Sequence, residues 1–179
     1  AAAVFLRVKA GLSSTTMQAG PQFGFSNTYV LAARSELGLS KISDLDQSQD
    51  IHFGFSNEFI NRPDGFHALA KHYGFSFDPP RGMDHGLAYA ALNSGQIDIT
   101  DAYSTDGKLS QFKFTLLEDD KRFFPPYQAF PIIHSKTAQA YPEIVEALAL
   151  LENAINTEQM QLLNYQYEVE KTSAEVVAY

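Results

Sequence analysis

Short apolar runs rich in β-branched and aromatic residues alternate along this chain with segments whose apolar residues recur every three or four positions. The short runs predict strands over 23–34, 51–55, 96–104, 114–120 and 128–134. The periodic segments predict helices from about Pro63 to Gly74, from Asp84 to about Asn93, and from Ser135 to the end of the chain. Strands that alternate with helices of about ten residues indicate an α/β fold with a parallel or mixed sheet.

Capping residues set the expected ends of these helices. Pro63 suits a first helical position because its missing N–H has no intrahelical partner there, and Gly74 suits the C-terminal end. Asp84 and Thr157 are N-cap side chains. Short helical turns are expected at 44–45 and 107–112.

The first 22 residues are predicted to be the end of an amphipathic helix, 1–12, followed by a linker over 12–22 in which Ser, Thr, Gly and Pro cluster. Six apolar residues precede Arg7 and Lys9, which is the reverse of the charge order of a signal peptide. We therefore expect either a mature protein that has lost its export signal or a piece of a longer chain. No apolar run reaches the roughly 18 residues of a membrane span.

Composition excludes several classes of function. Thirteen Lys and Arg against twenty-one Asp and Glu give a net charge of −8 over 179 residues, which disfavours binding to nucleic acid or to anionic lipid surfaces. The chain has no cysteine, so disulfides, thiolate catalysis and zinc–thiolate sites are excluded.

No motif for catalysis or for a metal is present. The five histidines lack HExxH spacing, and DAYSTDG at 101–107 lacks the alternating oxygen ligands and the closing Glu of a calcium loop. GxSxG, GxGxxG and Walker A runs do not occur. We expect no cofactor, no metal and no enzymatic activity.

Tyrosine placement is the most informative feature. Tyr29, Tyr103 and Tyr127 lie near the ends of predicted strands, where loops of an α/β sheet converge on ligands. Grouped tyrosine rings suit a quaternary ammonium ion, which is held by cation–π contact. The alternative is that these are core or interface tyrosines with satisfied hydroxyls.

Several runs resemble the substrate-binding proteins of ABC transporters for glycine betaine, choline and carnitine. The resemblance covers about 23–178, and its most specific motifs are SNTYVLAAR, NRPDGF, DAYSTDG and LEDDKRFFPPY. It implies the type II periplasmic binding fold, in which two α/β lobes close on a ligand held in an aromatic cage.

The same resemblance implies roles for five residues. Tyr29 in SNTY, Tyr103 in DAYSTDG and Tyr127 in FFPPY match the cage tyrosines, and Asn27 matches a polar position beside the cage. Arg62 in NRPDG is the candidate clamp for a ligand carboxylate, since a guanidinium pairs with a carboxylate through two hydrogen bonds. The alternative for Arg62 is a surface arginine at a helix N-terminus.

This sequence departs from the family in the first lobe. In the family that lobe begins with a segment of about a third of the mature chain, and we expect that segment to be absent here. We expect a remnant helix and connector of lobe 1 over 1–22, a complete lobe 2 over 23–115, and a hinge return with the C-terminal helical part of lobe 1 over 116–179. Apolar faces left uncovered favour a homo-oligomer, with possible exchange of elements between chains. A cage that lacks a ring binds betaine weakly.

Two functions follow as hypotheses. The first is a solute-binding protein, or a truncated form of one, that captures a quaternary ammonium osmoprotectant and delivers it to an ABC transporter permease, outside the cytoplasm if the protein is exported. The alternative is an interaction or assembly module that retains the fold and binds no ligand.

Overall fold

The computed structural model describes residues 2–47, 50–77 and 80–178. Its strands are β1 Met17–Ala19, β2 Tyr29–Arg34, β3 Gly54–Ser56, β4 Arg81–Met83, β5 Ile99–Tyr103, β6 Phe114–Leu117 and β7 Ile132–His134. Its α-helices are α1 Ala2–Leu12, α2 Asn57–Asn61, α3 Phe66–Tyr73, α4 His85–Asn93, α5 Lys108–Gln111, α6 Ser135–Ala140, α7 Pro142–Ala149, α8 Thr157–Glu168 and α9 Ala174–Val177. Two 3₁₀ helices span Ser35–Leu37 and Ile42–Gln47.

The central sheet has the order β5-β2-β6, and both pairings are antiparallel. Successive side chains of a strand point to opposite faces, so β2 serves two cores. Leu31 and Ala33 belong to a cluster on one face, and Ala32 belongs to a smaller cluster on the other. The near-continuous burial of β2 follows from this two-sided packing.

A parallel element lies beside this sheet. Strands β3 and β4 pair in parallel, and a parallel bridge from Phe53 to Ile99 joins this pair to β5. The arrangement is therefore mixed, as the sequence predicted. The main core between β2, β3, α2 and α3 is aromatic, with the fully buried rings of Phe55 and Phe59 at its centre.

Burial is confined to the middle of the chain. Within the described residues, the buried side chains run from Tyr29 to Leu117, and helices α6 to α9 contribute none. The two outer parts of the chain meet, because β1 pairs with β7 and the rings of Phe5 and Phe130 are 5.0 Å apart. The division into a lobe 2 over 23–115 and flanking parts of lobe 1 stays a prediction that agrees with this distribution.

The N-terminal third needs three corrections. The predicted strand 23–34 is a strand only from Tyr29, because Gly24 adopts a positive φ of 108° and breaks the extended backbone. The predicted linker 12–22 contains β1, whose three residues pair with β7 across more than 110 positions of sequence, a contact that no local pattern reveals. The strand predicted over 51–55 lies at Gly54–Ser56.

Helix starts were also misplaced. The helix predicted from Pro63 begins at Phe66 after Gly65, and the separate helix α2 was missed, although Ser56 caps it by accepting a hydrogen bond from the Phe59 N–H. Asn156, not Thr157, is the N-cap of α8, in a capping box with Gln159. The start at Asp84 and the end at Gly74 are confirmed.

Other predicted segments are shorter than expected. The strands predicted over 96–104, 114–120 and 128–134 are reduced to β5, β6 and β7, and the C-terminal helical region is divided into four helices. The ends of the predicted helices at Ala1 and Tyr179 lie outside the described residues. Over the described ranges, no helix is both long and apolar enough to cross a membrane.

Hydrogen exchange should reveal this uneven burial. We expect the backbone amides of β2 and β5 to exchange roughly a hundredfold or more slowly than those of α7, because opening the sheet exposes the cores whereas α7 carries no buried side chain. Exchange followed by mass spectrometry on peptides from these segments measures the difference. Equal protection of α7 and β2 would contradict the assignment of the core to the middle of the chain.

Candidate functional site

Two of the predicted cage tyrosines face each other across a strand pair. Tyr29 is the first residue of β2 and Tyr103 the last of β5, and they are register partners. Their ring centroids are 4.7 Å apart at an interplanar angle of 42°, and their hydroxyl oxygens are 3.0 Å apart. Cross-strand partners lie on the same face of a sheet, so the pairing itself brings these rings together.

Glu58 joins this pair through its carboxylate. The Tyr29 and Tyr103 hydroxyl oxygens each lie 3.3 Å from one of its oxygens. Glu58 lies in the first turn of α2, and sequence reasoning missed it because it missed that helix. The available signal was Ser56 followed two positions later by an acidic residue, a pattern typical of a helix start.

A buried carboxylate fixes α2 relative to β5. Asp101 is fully buried and accepts hydrogen bonds from the Ser56 N–H at 2.6 Å and from the Ser56 hydroxyl at 2.7 Å. The Ser56 oxygen also caps α2. Because Asp101 lies two residues before Tyr103 on the same strand, this contact sets the position of Glu58 relative to the tyrosine.

Arg62 lies at the C-terminal end of α2 and over the Tyr29 ring. Its guanidinium carbon is 5.4 Å from the ring centroid. It donates two hydrogen bonds of 2.9 Å to Asp64 and a longer one of 3.4 Å to Glu58. The bonds to Asp64 raise the pKa of Arg62 and lower that of Asp64, so both groups are charged near neutral pH. Sequence reasoning identified Arg62 and missed its neighbour Asp64.

Phenylalanine rings surround the buried side of Tyr29. The Phe59 ring centroid is 5.1 Å from that of Tyr29, and the Phe124 centroid is 6.1 Å away. Neither was predicted as a site residue, although Phe124 belongs to the FFPPY motif. Tyr29 is 6% exposed. Burial is the largest cause of its raised pKa, and the hydrogen bond with Tyr103 is the second. The pKa of Tyr103 is also raised, first by burial.

Asn27 and Tyr127 are joined to each other rather than to the tyrosine pair. The Asn27 N–H donates to the Tyr127 carbonyl at 2.9 Å, and the Asn27 side-chain oxygen accepts from Thr105 at 2.8 Å. Tyr127 lies in a loop before β7, not at a strand start, and 37% of it is exposed. Across the described ranges its ring contacts neither Tyr29 nor Tyr103, although its charge interaction with Arg62 contributes to the raised pKa of that group.

The structure thus brings Tyr29, Tyr103 and Arg62 together and leaves the Tyr127 ring apart. Tyr127 lines a separate apolar cavity of about 260 Å³ between the FFPPY segment and α1. Tyr103 and Glu58 line a different cavity of about 290 Å³. Tyr103 and Tyr127 therefore line two different cavities.

His85 supports Tyr103 from the side of α4. The imidazole centroid is 5.3 Å from the Tyr103 ring, its Nε2 is 3.0 Å from Asp106, and its Nδ1 is 3.7 Å from Asp101. These carboxylates, Asp101 first and Asp106 second, raise the pKa of His85 to about 9. Asp106 also accepts from the Tyr103 N–H at 3.0 Å. The acidic residues of the DAYSTDG loop are therefore bound by protein groups.

This arrangement suits a soft cation. Both phenols are protonated near neutral pH, as ordinary tyrosines are, and burial raises their pKa values further, so the rings are neutral and present their electron-rich faces. Glu58 adds a negative charge beside them. Over the residues described, no group of three or more His, Cys, Asp and Glu side chains is placed to hold a metal ion.

Comparison with known proteins reveals relatives of one kind. A family model described as the substrate binding domain of ABC-type glycine betaine transport systems matches residues 6–179. The ergothioneine transport permease/ergothioneine binding protein EgtU of Helicobacter pylori (strain G27) is 40% identical over 160 residues, which cover 87% of this chain and 29% of that protein. The carnitine transport binding protein OpuCC of Listeria monocytogenes is 35% identical over 162 residues, 87% of this chain and 53% of that protein.

Solved structures of binding proteins from ABC transport systems superpose on this chain. A crystal structure described as a glycine betaine/carnitine/choline ABC transporter superposes with a TM-score of 0.85 at 33% identity, covering 97% of this chain and 66% of that one. The lactococcal OpuAC complex with glycine betaine superposes with a TM-score of 0.63 at 14% identity, covering 88% of this chain and 65% of that one, and shows a shared fold only. The chain spans about half the length of the Listeria protein and less than a third of the Helicobacter protein.

The raised pKa of His85 predicts a loss of stability at alkaline pH. A folded-state pKa of about 9 lies above the unfolded value of about 6.5, so the contribution is complete below pH 6.5 and is lost as pH rises through 9. Between pH 6.5 and 9.5, we expect the free energy of unfolding to fall by roughly 2 kcal/mol more in the wild type than in His85→Gln. Urea unfolding at both pH values measures this difference, and parallel curves for the two proteins would contradict it.

Proposed function

Since the chain belongs to the family of substrate-binding domains of ABC-type glycine betaine transport systems, we propose that it captures a quaternary ammonium solute such as glycine betaine, choline or carnitine for ABC import. Its fold is that of the type II periplasmic binding proteins. The name of the Helicobacter relative adds ergothioneine, another trimethylammonium compound, to the candidate ligands.

The observation that carries this proposal is the pairing of Tyr29 with Tyr103. Two neutral phenol rings 4.7 Å apart, with a carboxylate beside them, attract a cation that cannot donate a hydrogen bond. The Arg62 guanidinium already lies over one of these rings, which supports the view that this part of the site favours positive charge. Tyr103 is the more accessible ring and lines the cavity of about 290 Å³.

The remaining predicted residues have supporting roles in the proposal. Arg62 is the group that pairs with a ligand carboxylate, in exchange for Asp64. Asn27 ties the FFPPY segment to the start of β2 through its backbone bond to Tyr127. Tyr127 contributes its ring only after a closing movement, because it lies apart from the other two in this structure.

Delivery to a permease is the second part of the proposal. The family works in ABC transport, so we place capture outside the cytoplasm and propose that a transporter permease senses the loaded and closed form. The relatives are described as binding proteins, which favours capture over a ligand-free assembly module and over enzymatic activity.

Replacing Tyr103 tests capture. Tyr103→Leu removes one ring and should weaken binding of glycine betaine, choline or carnitine roughly 2- to 30-fold, whereas Tyr103→Phe retains the ring and most of the affinity. Tyr141→Leu, which alters an exposed tyrosine outside the site, serves as the control. Titration calorimetry provides the dissociation constants. A folded wild type that gives no signal with any of these ligands at millimolar concentration refutes the proposed function.

Self-association is a separate expectation. Among the described residues, each exposed large hydrophobic side chain except Leu87 lies in 2–22 or 116–178, and Leu150 is 82% exposed. Exposed apolar side chains favour association where they form a contiguous surface. Sedimentation velocity at micromolar concentration should therefore detect species heavier than the 19.9 kDa monomer. Leu150→Asp should shift them towards monomer more than Leu87→Asp does, and a wild type that sediments as monomer alone contradicts the expectation.

A further inference from the structure

The carboxylate of Glu58, at the edge of the tyrosine pair, makes only long hydrogen bonds with protein groups. Its contacts with Tyr29, Tyr103 and Arg62 measure 3.3, 3.3 and 3.4 Å. Charge-assisted bonds from a hydroxyl to a carboxylate usually measure about 2.5–2.7 Å. The nearby Asp101 receives bonds of 2.6 and 2.7 Å from Ser56, so it is well satisfied by comparison.

A count of hydrogens leads to the same conclusion. The Glu58 carboxylate and the two phenol oxygens make three mutual contacts, but an ionised carboxylate has no hydrogen and each phenol has one. Two hydrogens therefore serve three contacts. If either phenol donates to the other, one of the two bonds to the carboxylate is left without a hydrogen, and the acceptor capacity of Glu58 is only partly used.

Glu58 is also accessible. Its side chain is 61% exposed, and it lines the cavity of about 290 Å³ together with Tyr103 and His85. A ligand whose ammonium group lies against the Tyr103 ring therefore has an anionic acceptor beside it. The phenol oxygen of Tyr103 is 3.3 Å from that acceptor, so the two contacts are within reach of one small molecule.

We propose that Glu58 forms a subsite for a hydrogen-bond donor of the ligand, so that the site prefers a trimethylammonium compound that carries a hydroxyl or N–H group near the ammonium over one that carries none. This inference rests on the proposed function, because it assumes that the ammonium lies against the tyrosine pair. It names Glu58 as a specificity-determining residue.

A matched pair of ligands tests the inference. Choline and its O-methyl ether have the same charge and differ in the single hydroxyl donor. We expect the wild-type chain to bind choline roughly tenfold more tightly than the ether, because a hydrogen bond to a charged acceptor is lost with the hydroxyl. Glu58→Ala should bring the ratio of the two dissociation constants close to one, and Glu58→Gln should give an intermediate ratio. Ligand-observed NMR titration measures both constants.

The control is Glu36→Gln, which neutralises a carboxylate that is 75% exposed beside Arg34, at the opposite end of β2 from Tyr29. It should leave the ratio unchanged, and circular dichroism verifies that each variant is folded. A wild type that binds both ligands equally, or a Glu58→Ala variant that keeps the preference, overturns the inference alone. A wild type that binds neither ligand, nor the tetramethylammonium ion, overturns the proposed function and the inference with it.

Discussion

The antiparallel pairing of β2 with β5 determines the geometry of the candidate site. It places Tyr29 opposite Tyr103, and a slip of one residue would turn one of the rings to the other face of the sheet. The buried carboxylate of Asp101 helps to hold this register, because it lies on β5 and receives both polar hydrogens of Ser56. The same serine caps α2. One buried contact therefore links the strand that carries Tyr103 to the helix that carries Glu58.

Protonation explains how an acidic protein can present neutral rings to a cation. An ordinary tyrosine is already neutral at neutral pH, and burial raises the pKa of both Tyr29 and Tyr103 further, so their contribution comes from the ring faces and not from phenolate charge. The negative charge is supplied by carboxylates at the margin, chiefly Glu58. Such a division is favourable because a charge that remains exposed keeps its hydration, whereas a phenolate in the core would lose it.

The sequence allowed the fold class, the tyrosine pair and Arg62 to be predicted, but it did not allow Glu58, Phe59 or the β1–β7 pairing. Motif-bearing residues could be found because a motif is local. Glu58 could not be predicted in this way because it lies in a helix of only five residues. The apolar strand that ends at Ser56 hides the start of that helix in the sequence pattern. The pairing of β1 with β7 joins the two ends of the chain, and contacts of that range leave no periodic trace in either segment.

The geometry of Arg62 limits the role that the family resemblance implies for it. Its guanidinium makes two bonds of 2.9 Å to Asp64, so a ligand carboxylate that binds there replaces one carboxylate with another. Such an exchange yields little net free energy from charge pairing, because the bonds gained resemble those lost. Discrimination among ammonium compounds must then come from the other end of the ligand. In the proposed binding mode that end lies against the tyrosine rings and Glu58, whose contacts with protein groups, at 3.3–3.4 Å, are longer than the 2.9 Å bonds between Arg62 and Asp64.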